Sequence, residues 1–123
     1  MNERIITLML LIVAVIHLLP VAGFVSAERL SALYGVSIEG PNLEILMRHR
    51  AVLFGLLGAF FVYAAFNTAV QPLAFIAAFI SVSSFFYLAW SIGGYNSAMA
   101  TVVRADLIAA VCLLVAVVLY YKH

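Results

Sequence analysis

Four apolar stretches, each about twenty residues or longer, constrain the fold of this chain more than any other feature. They cover residues 5–24, 43–66, 72–92 and 97–121 of a 123-residue sequence that is 67% hydrophobic and 9% charged. A helix of about 20 apolar residues is long enough to cross the hydrocarbon core of a bilayer. Because the turns after the second and third stretches are short, neighbouring helices must run antiparallel. The sequence therefore predicts an all-α membrane protein, a single antiparallel bundle of four transmembrane helices with both termini on one side.

The first stretch has two interpretations. The small residues Val25-Ser26-Ala27 after it are also typical of a signal peptide, but its apolar run is longer than usual and follows Glu3. We therefore expect it to stay as a transmembrane helix. Pro20 lacks a backbone donor and should kink this helix or end it early. In the connection over residues 25–42, apolar residues at helical spacing predict a short interfacial helix that Gly35 ends.

Helix ends and helix contacts can also be predicted from single residues. We expect Asn42 to cap the second transmembrane helix, Gly93 to end the third, and Asn96 or Ser97 to cap the fourth. Small residues let helix backbones approach closely in lipid. Two stripes of small residues predict such contacts: Ala51, Gly55 and Ala59 in the second helix, and Ala105, Ala109, Cys112 and Ala116 in the fourth.

Rare ionisable side chains gather at the end of the predicted bundle that carries the 25–42 connection. At about 1.5 Å per residue, five of them lie roughly 8 to 13 Å inward from the helix ends. Ionisable groups at this depth cost free energy, and by default they mark a site. The candidate ligand-binding residues are His17, Arg48, His49, Arg50, Arg104 and Asp106, with Glu44, Tyr34, Trp90 and Tyr95 in support.

Helical geometry predicts how these charges are arranged. Arg48 shares a face with the small residues of its helix, so it should point into the bundle, within reach of Glu44. Arg50 lies on nearly the opposite face and should extend outward to the headgroups. Asp106, near a helix N-terminus, is the best counter-ion for Arg48 or Arg104. Such a pair could be structural, fixing the register of two helices, or it could contact a ligand or an ion.

Several kinds of site are disfavoured by the sequence. His17 either forms a hydrogen bond with a neighbouring helix or belongs to the site. A haem between His17 and His49 is geometrically conceivable, but two isolated histidines are a weak signal, and we predict no cofactor. No metal-binding or catalytic motif is recognisable, and Cys112 is the only cysteine, so we predict neither a metal site nor catalytic residues. A net charge of +1 argues against a nucleic-acid partner.

Part of the chain resembles a known group of proteins. The relevant residues are Leu33-Tyr34-Gly35-Val36, Asn42, residues 46–58, the His17 and Pro20 pair, and Arg104-Ala105-Asp106. Together they resemble small four-helix bacterial inner-membrane proteins that are broadly DoxX-like. The resemblance implies a multi-pass protein of the bacterial inner membrane and favours cytoplasmic termini. It transfers no catalytic residue, because the group has no agreed activity.

These observations lead to three functional hypotheses. The first is a membrane protein, more plausibly not an enzyme, that binds an amphipathic or anionic small molecule such as a lipid or quinone headgroup. The second is a small oligomeric transporter or a proton or ion pathway that uses His17 and Asp106 as titrating groups. The third, an accessory subunit of a membrane enzyme, is suggested only by the resemblance. The expected partners are membrane lipid and either a second copy of the chain or another membrane protein.

Overall fold

The computed structural model describes residues 2–122, and within this range the chain forms five α-helices and no β-strand. The helices are α1 (Asn2–Leu18), α2 (Ala27–Tyr34), α3 (Pro41–Ala65), α4 (Gln71–Ile92) and α5 (Ser97–Lys122), with 3-10 segments at Leu19–Phe24 and Thr68–Val70. In the described part, four segments are long and apolar enough to cross a membrane. They contain α1, α3, α4 and α5. The prediction of an all-α fold is confirmed, and the chain is a multi-pass membrane protein.

The first transmembrane segment changes its helix type before it reaches the loop. The α-helix ends at Leu18, and residues Leu19–Phe24 continue as a 3-10 helix. Pro20 has no N–H to donate to the turn before it, so it cannot continue the α-helical pattern of hydrogen bonds. The expected early end of this helix is confirmed.

The predicted short helix in the 25–42 connection is α2. Ser26 Oγ accepts the backbone N–H of Arg29 at 3.3 Å, which caps the helix, and Gly35 ends it with a φ of 65°. Leu30 and Tyr34 are only 1% and 4% exposed. The apolar face of α2 therefore packs on the protein, against the 3-10 segment and α3, and forms a cover over the ends of the long helices.

The other helix ends follow the predicted residues with one exception. Gly93 ends α4 with a φ of 64°, and Asn96 Oδ1 accepts a backbone N–H in the first turn of α5 at 2.8 Å. The prediction that Asn42 caps the second transmembrane helix is wrong. The helix begins earlier, at Pro41, after Gly40, which provides no side-chain cap. Proline suits the first helical position because its missing N–H would have no partner there.

Helix α1 lies against both α3 and α5, whereas α4 packs mainly on α5 and less on α3. The predicted stripe on α5 is buried at Ala109, Cys112 and Ala116. Large apolar side chains cover the outer surface, for example Leu56, Ile76, Phe79 and Leu114, each more than half exposed. A surface of this kind suits lipid, since soluble proteins rarely expose large contiguous apolar patches.

Helix α1 approaches α3 closely at a glycine. A Cβ atom added to Gly58 would lie 2.6 Å from Leu18 Cγ and 3.2 Å from the carbonyl oxygen of Ala14. The predicted small-residue face of α3 is only partly correct, because Ala51 is buried but Ala59 is exposed. The face that meets α1 is therefore rotated away from the one that spacing of small residues indicated.

We expect Gly58→Ala to destabilise the protein by about 1–3 kcal/mol, the usual range for overpacking a well-packed core. The new methyl group would overlap Leu18 and press on a backbone carbonyl of α1. Thermal unfolding in mild detergent measures the effect. Ala59→Leu is the matched control one residue further along, on the exposed face, and it should leave the melting temperature nearly unchanged. Equal effects of the two variants would contradict this packing.

Candidate functional site

A cavity of about 360 Å³ lies at the loop end of the bundle, beneath α2 and between α1, α3 and α5. We call it the loop-side cavity. Its polar lining comes from His17, Tyr34, Arg50, Thr101 and Asp106, and the remaining lining residues are apolar. Since α2 covers the helix ends and α1 loses its α-helical course near Pro20, the long helices do not close on one another here.

Arg50 points toward this cavity. Its Nη1 donates a hydrogen bond of 2.6 Å to the hydroxyl of Tyr34. The guanidinium carbon also lies over two rings, 5.2 Å from the centroid of Tyr34 and 4.5 Å from that of Phe54. A cation–π contact of this kind contributes about 0.5–2 kcal/mol, depending on how far it is desolvated. The prediction that Arg50 extends outward to the headgroups is wrong, because α2 places Tyr34 over this face of α3.

Asp106 lines the same cavity from α5 and is partly buried. Among residues 2–122, the only ion pair with an N···O distance within 4.0 Å joins Arg48 to Glu44. Asp106 therefore pairs with neither Arg48 nor Arg104, and that prediction is wrong. No hydrogen bond from another described residue reaches its carboxylate. A carboxylate inside a transmembrane bundle is costly without a partner, and this one is accessible from the cavity.

His17 forms the floor of the cavity and is only 2% exposed. Its Nδ1 donates to the carbonyl oxygen of Val13 at 2.9 Å, since a carbonyl can only accept. Its Nε2 lies 2.8 Å from Ser81 Oγ on α4, so in the neutral ring the serine hydroxyl donates to it. The ring also packs edge-on against Phe61, with 4.9 Å between centroids, and near Phe54. The predicted hydrogen bond to a neighbouring helix is confirmed, and His17 also lines the cavity.

Arg48 has a different role from the predicted one. Its Nε donates to the carbonyl oxygen of Phe24 at 2.8 Å, and its Nη1 donates to Glu44 Oε2 at 2.9 Å. The i,i+4 pair with Glu44 is thus confirmed. Both side chains are over a third exposed, 36% and 41%, and an exposed pair contributes little to stability, about 0–1 kcal/mol. Arg48 fastens the end of the 3-10 segment to α3 and does not enter the loop-side cavity.

The remaining candidates lie outside this cavity. His49 is exposed and lines a separate groove beside Arg48, so the structure does not bring it together with His17. Both ring nitrogens of His17 already have hydrogen-bond partners, which leaves no free ligand for a haem iron. Arg104 and Tyr95 are exposed, and Trp90 is 81% exposed. Within residues 2–122, no group of three His, Cys, Asp or Glu side chains could hold a metal ion.

Several residues of the site were not predicted from the sequence, and three of them show why. Phe54 stacks on Arg50, Ser81 holds His17, and Thr101 lines the cavity one turn before Ala105. Phe54 had a usable signal, since it follows Arg50 by four residues on a helix. Ser81 had none, because a serine in a transmembrane helix most often bonds its own backbone, as Ser83 does with the carbonyl oxygen of Phe79.

Comparisons of the chain with protein-family models, with curated proteins and with solved structures found no match.

We expect Ser81→Ala to lower stability by about 0.5–2 kcal/mol, because the buried Nε2 of His17 loses its only partner on α4. Ser84→Ala, on the same helix, is the matched control. The Ser84 hydroxyl is exposed and donates only to the carbonyl oxygen of Ser81. Thermal unfolding in detergent should show a clear decrease for the first variant and almost none for the second. An unchanged melting temperature in Ser81→Ala would contradict the role given to His17.

We expect Asp106→Asn to leave the melting temperature unchanged or to raise it, when measured after detergent washing that removes bound lipid. The substitution removes a partly buried charge that forms no ion pair within 4.0 Å among the described residues. Breaking a true buried ion pair would have the opposite sign and cost about 3–5 kcal/mol. A strong decrease in Asp106→Asn would therefore show that Asp106 is held by an ion pair after all.

Proposed function

We propose that this protein binds an amphipathic small molecule, such as a lipid or a quinone, by its polar headgroup in the loop-side cavity. One observation carries the proposal. A guanidinium and a carboxylate, Arg50 and Asp106, line the same largely apolar cavity and are not bonded to each other. Groups that a bundle needs for its own stability are normally paired, so charges left facing a cavity are suited to a ligand.

The depth of the two charges supports an amphipathic ligand. Arg50 lies nine residues after Pro41 at the start of α3, and Asp106 lies nine residues after Ser97 at the start of α5. At about 1.5 Å per residue, both are about 14 Å along their helices. The charges thus lie below the helix ends, where a headgroup can reach them while its apolar part remains among apolar side chains. The cavity volume, about 360 Å³, is within the range of small-molecule pockets.

A proton or ion pathway is the second candidate, because the titratable residues His17 and Asp106 line one cavity. The packing beyond His17 supports binding more than transport. Directly beyond His17, the middle of the bundle contains buried apolar side chains such as Leu10, Val13 and Phe61. Flux assays in proteoliposomes discriminate between the two candidates. Proton flux that disappears in Asp106→Asn would favour a pathway, and absence of flux would favour binding.

The type of membrane, the orientation of the chain and a role beside a membrane enzyme rest on the DoxX-like resemblance described above. With it, we propose a location in the bacterial inner membrane with cytoplasmic termini, so that the loop-side cavity opens toward the periplasm. The test is a reporter protein that is active only in the periplasm, fused after residue 123. Activity of this reporter would overturn the proposed orientation. An accessory role in a larger membrane enzyme remains the third hypothesis. Its test is whether a membrane partner copurifies with the chain.

We expect Arg50→Gln to lose most of the lipid or quinone that copurifies with the wild-type protein in mild detergent. The side chain that would bind the headgroup is then uncharged. Arg48→Gln is the matched control, since Arg48 carries the same charge two residues away but contacts Phe24 and Glu44 outside the cavity. Native mass spectrometry measures the bound molecules. Equal amounts in wild type and Arg50→Gln would contradict the proposed function.

A further inference from the structure

A second space adjoins the loop-side cavity and indicates how a bound molecule would reach it. A groove of about 440 Å³ runs between α3 and α4, with walls formed partly by Leu53, Leu57 and Ile80. We call it the lateral groove. Leu53 and Ile80 are 51% and 60% exposed, so the groove opens on the apolar outer surface of the bundle. Arg50 and Phe54 line both spaces, so the two spaces lie next to each other at these two side chains.

The charges of the cavity discriminate among headgroups. An anionic headgroup would be attracted by Arg50 but repelled by Asp106, and a cationic one would meet the reverse. A headgroup that carries both charges satisfies the guanidinium and the carboxylate together. Arginine is well suited to phosphate oxygens, which it can bind through two parallel N–H donors. The carboxylate of Asp106 is suited to an ammonium group, which offers N–H donors to its free oxygens.

The aromatic side chains discriminate further between two zwitterionic headgroups. A trimethylammonium group has no N–H donors and is usually bound by a cage of aromatic faces. In the loop-side cavity, the rings of Tyr34 and Phe54 already stack on the guanidinium of Arg50. Those rings are not free to form a cage. A primary ammonium, which forms hydrogen bonds with a carboxylate, is the better match to Asp106.

We infer that the ligand is a zwitterionic phospholipid of the phosphoethanolamine class. Its phosphate binds Arg50, its ammonium binds Asp106, and an acyl chain lies in the lateral groove along Leu53, Leu57 and Ile80. This inference rests on the proposed function and names the substrate class of the same site. The lipid enters sideways from the bilayer, because the groove opens on the lipid-facing surface and ends at Arg50.

The test is a competition between two lipids for the purified full-length chain, stripped of lipid in detergent. Phosphatidylethanolamine and phosphatidylglycerol with identical acyl chains are added in equal amounts, and native mass spectrometry measures the ratio of the two complexes. We expect phosphatidylethanolamine to be favoured by about tenfold, the ratio that one charge-assisted hydrogen bond typically produces. Since both lipids compete for one sample, the ratio does not depend on the fraction of folded protein.

Variants then assign the preference to particular charges. In Asp106→Asn the ratio should fall to about one or reverse, because the repulsion of the anionic lipid is gone. Glu44→Gln, which removes a carboxylate outside the cavity, should leave the ratio unchanged. Soluble glycerophosphoethanolamine, which has no acyl chains, should not compete at concentrations at which the lipid saturates the protein. Phosphatidylcholine should bind about as weakly as phosphatidylglycerol.

The outcomes separate this inference from the proposed function. A wild-type preference for phosphatidylglycerol, or a ratio that Asp106→Asn does not change, would overturn the zwitterionic headgroup. The proposed function would survive that result if Arg50→Gln still loses its bound molecules. Competition by soluble glycerophosphoethanolamine as effective as that of the lipid would overturn the role of the lateral groove. Unchanged lipid binding in Arg50→Gln would overturn both the inference and the proposed function.

Discussion

The arrangement of the helices around the cavity depends on the contacts that His17 makes with two neighbouring helices. His17 lies on α1, packs against Phe61 of α3 and shares a hydrogen bond with Ser81 of α4. In lipid, apolar side chains gain little by leaving one apolar environment for another, so helix association relies on close packing and on internal hydrogen bonds. One imidazole supplies both here. It links α1 to α4 through Ser81 and lies between the buried apolar core and the polar cavity.

The cavity exists because α1 cannot continue as an α-helix beyond Leu18. Pro20 converts the next turn into a 3-10 helix, and α2 then crosses the ends of the long helices with Leu30 and Tyr34 buried. Tyr34 in turn holds Arg50 by a hydrogen bond and by its ring. The backbone effect of Pro20 is thus connected, through α2, to the position of the Arg50 charge inside the bundle.

The sequence predicted the elements well and the site only in part. Helix ends depend on local residues such as Gly35, Gly93 and Asn96, and these predictions are confirmed. The inward face of α3 was predicted only partly correctly, and the error exchanged the roles of Arg48 and Arg50. In a soluble protein, polar residues mark the outer face of a helix. In a membrane bundle both faces of a helix are apolar, so the small residues around Ala59 were the only signal for the inward face of α3. In the structure, the aromatic face that contains Phe54 meets α1.

The hydrogen bonds of the polar side chains distinguish those with a structural role from those that belong to the candidate site. His17, Arg48 and Gln71 each bond a backbone carbonyl, and such residues fasten one segment to another. Arg50 instead donates to a side chain, the hydroxyl of Tyr34, and its guanidinium has further N–H donors with which it could bind a ligand. Asp106 receives no hydrogen bond from the described residues. A carboxylate inside a bundle costs free energy when no donor bonds it, so a ligand that offers N–H donors to Asp106 would lower that cost. The headgroup ligand that we propose would bond both groups in the cavity that they line together.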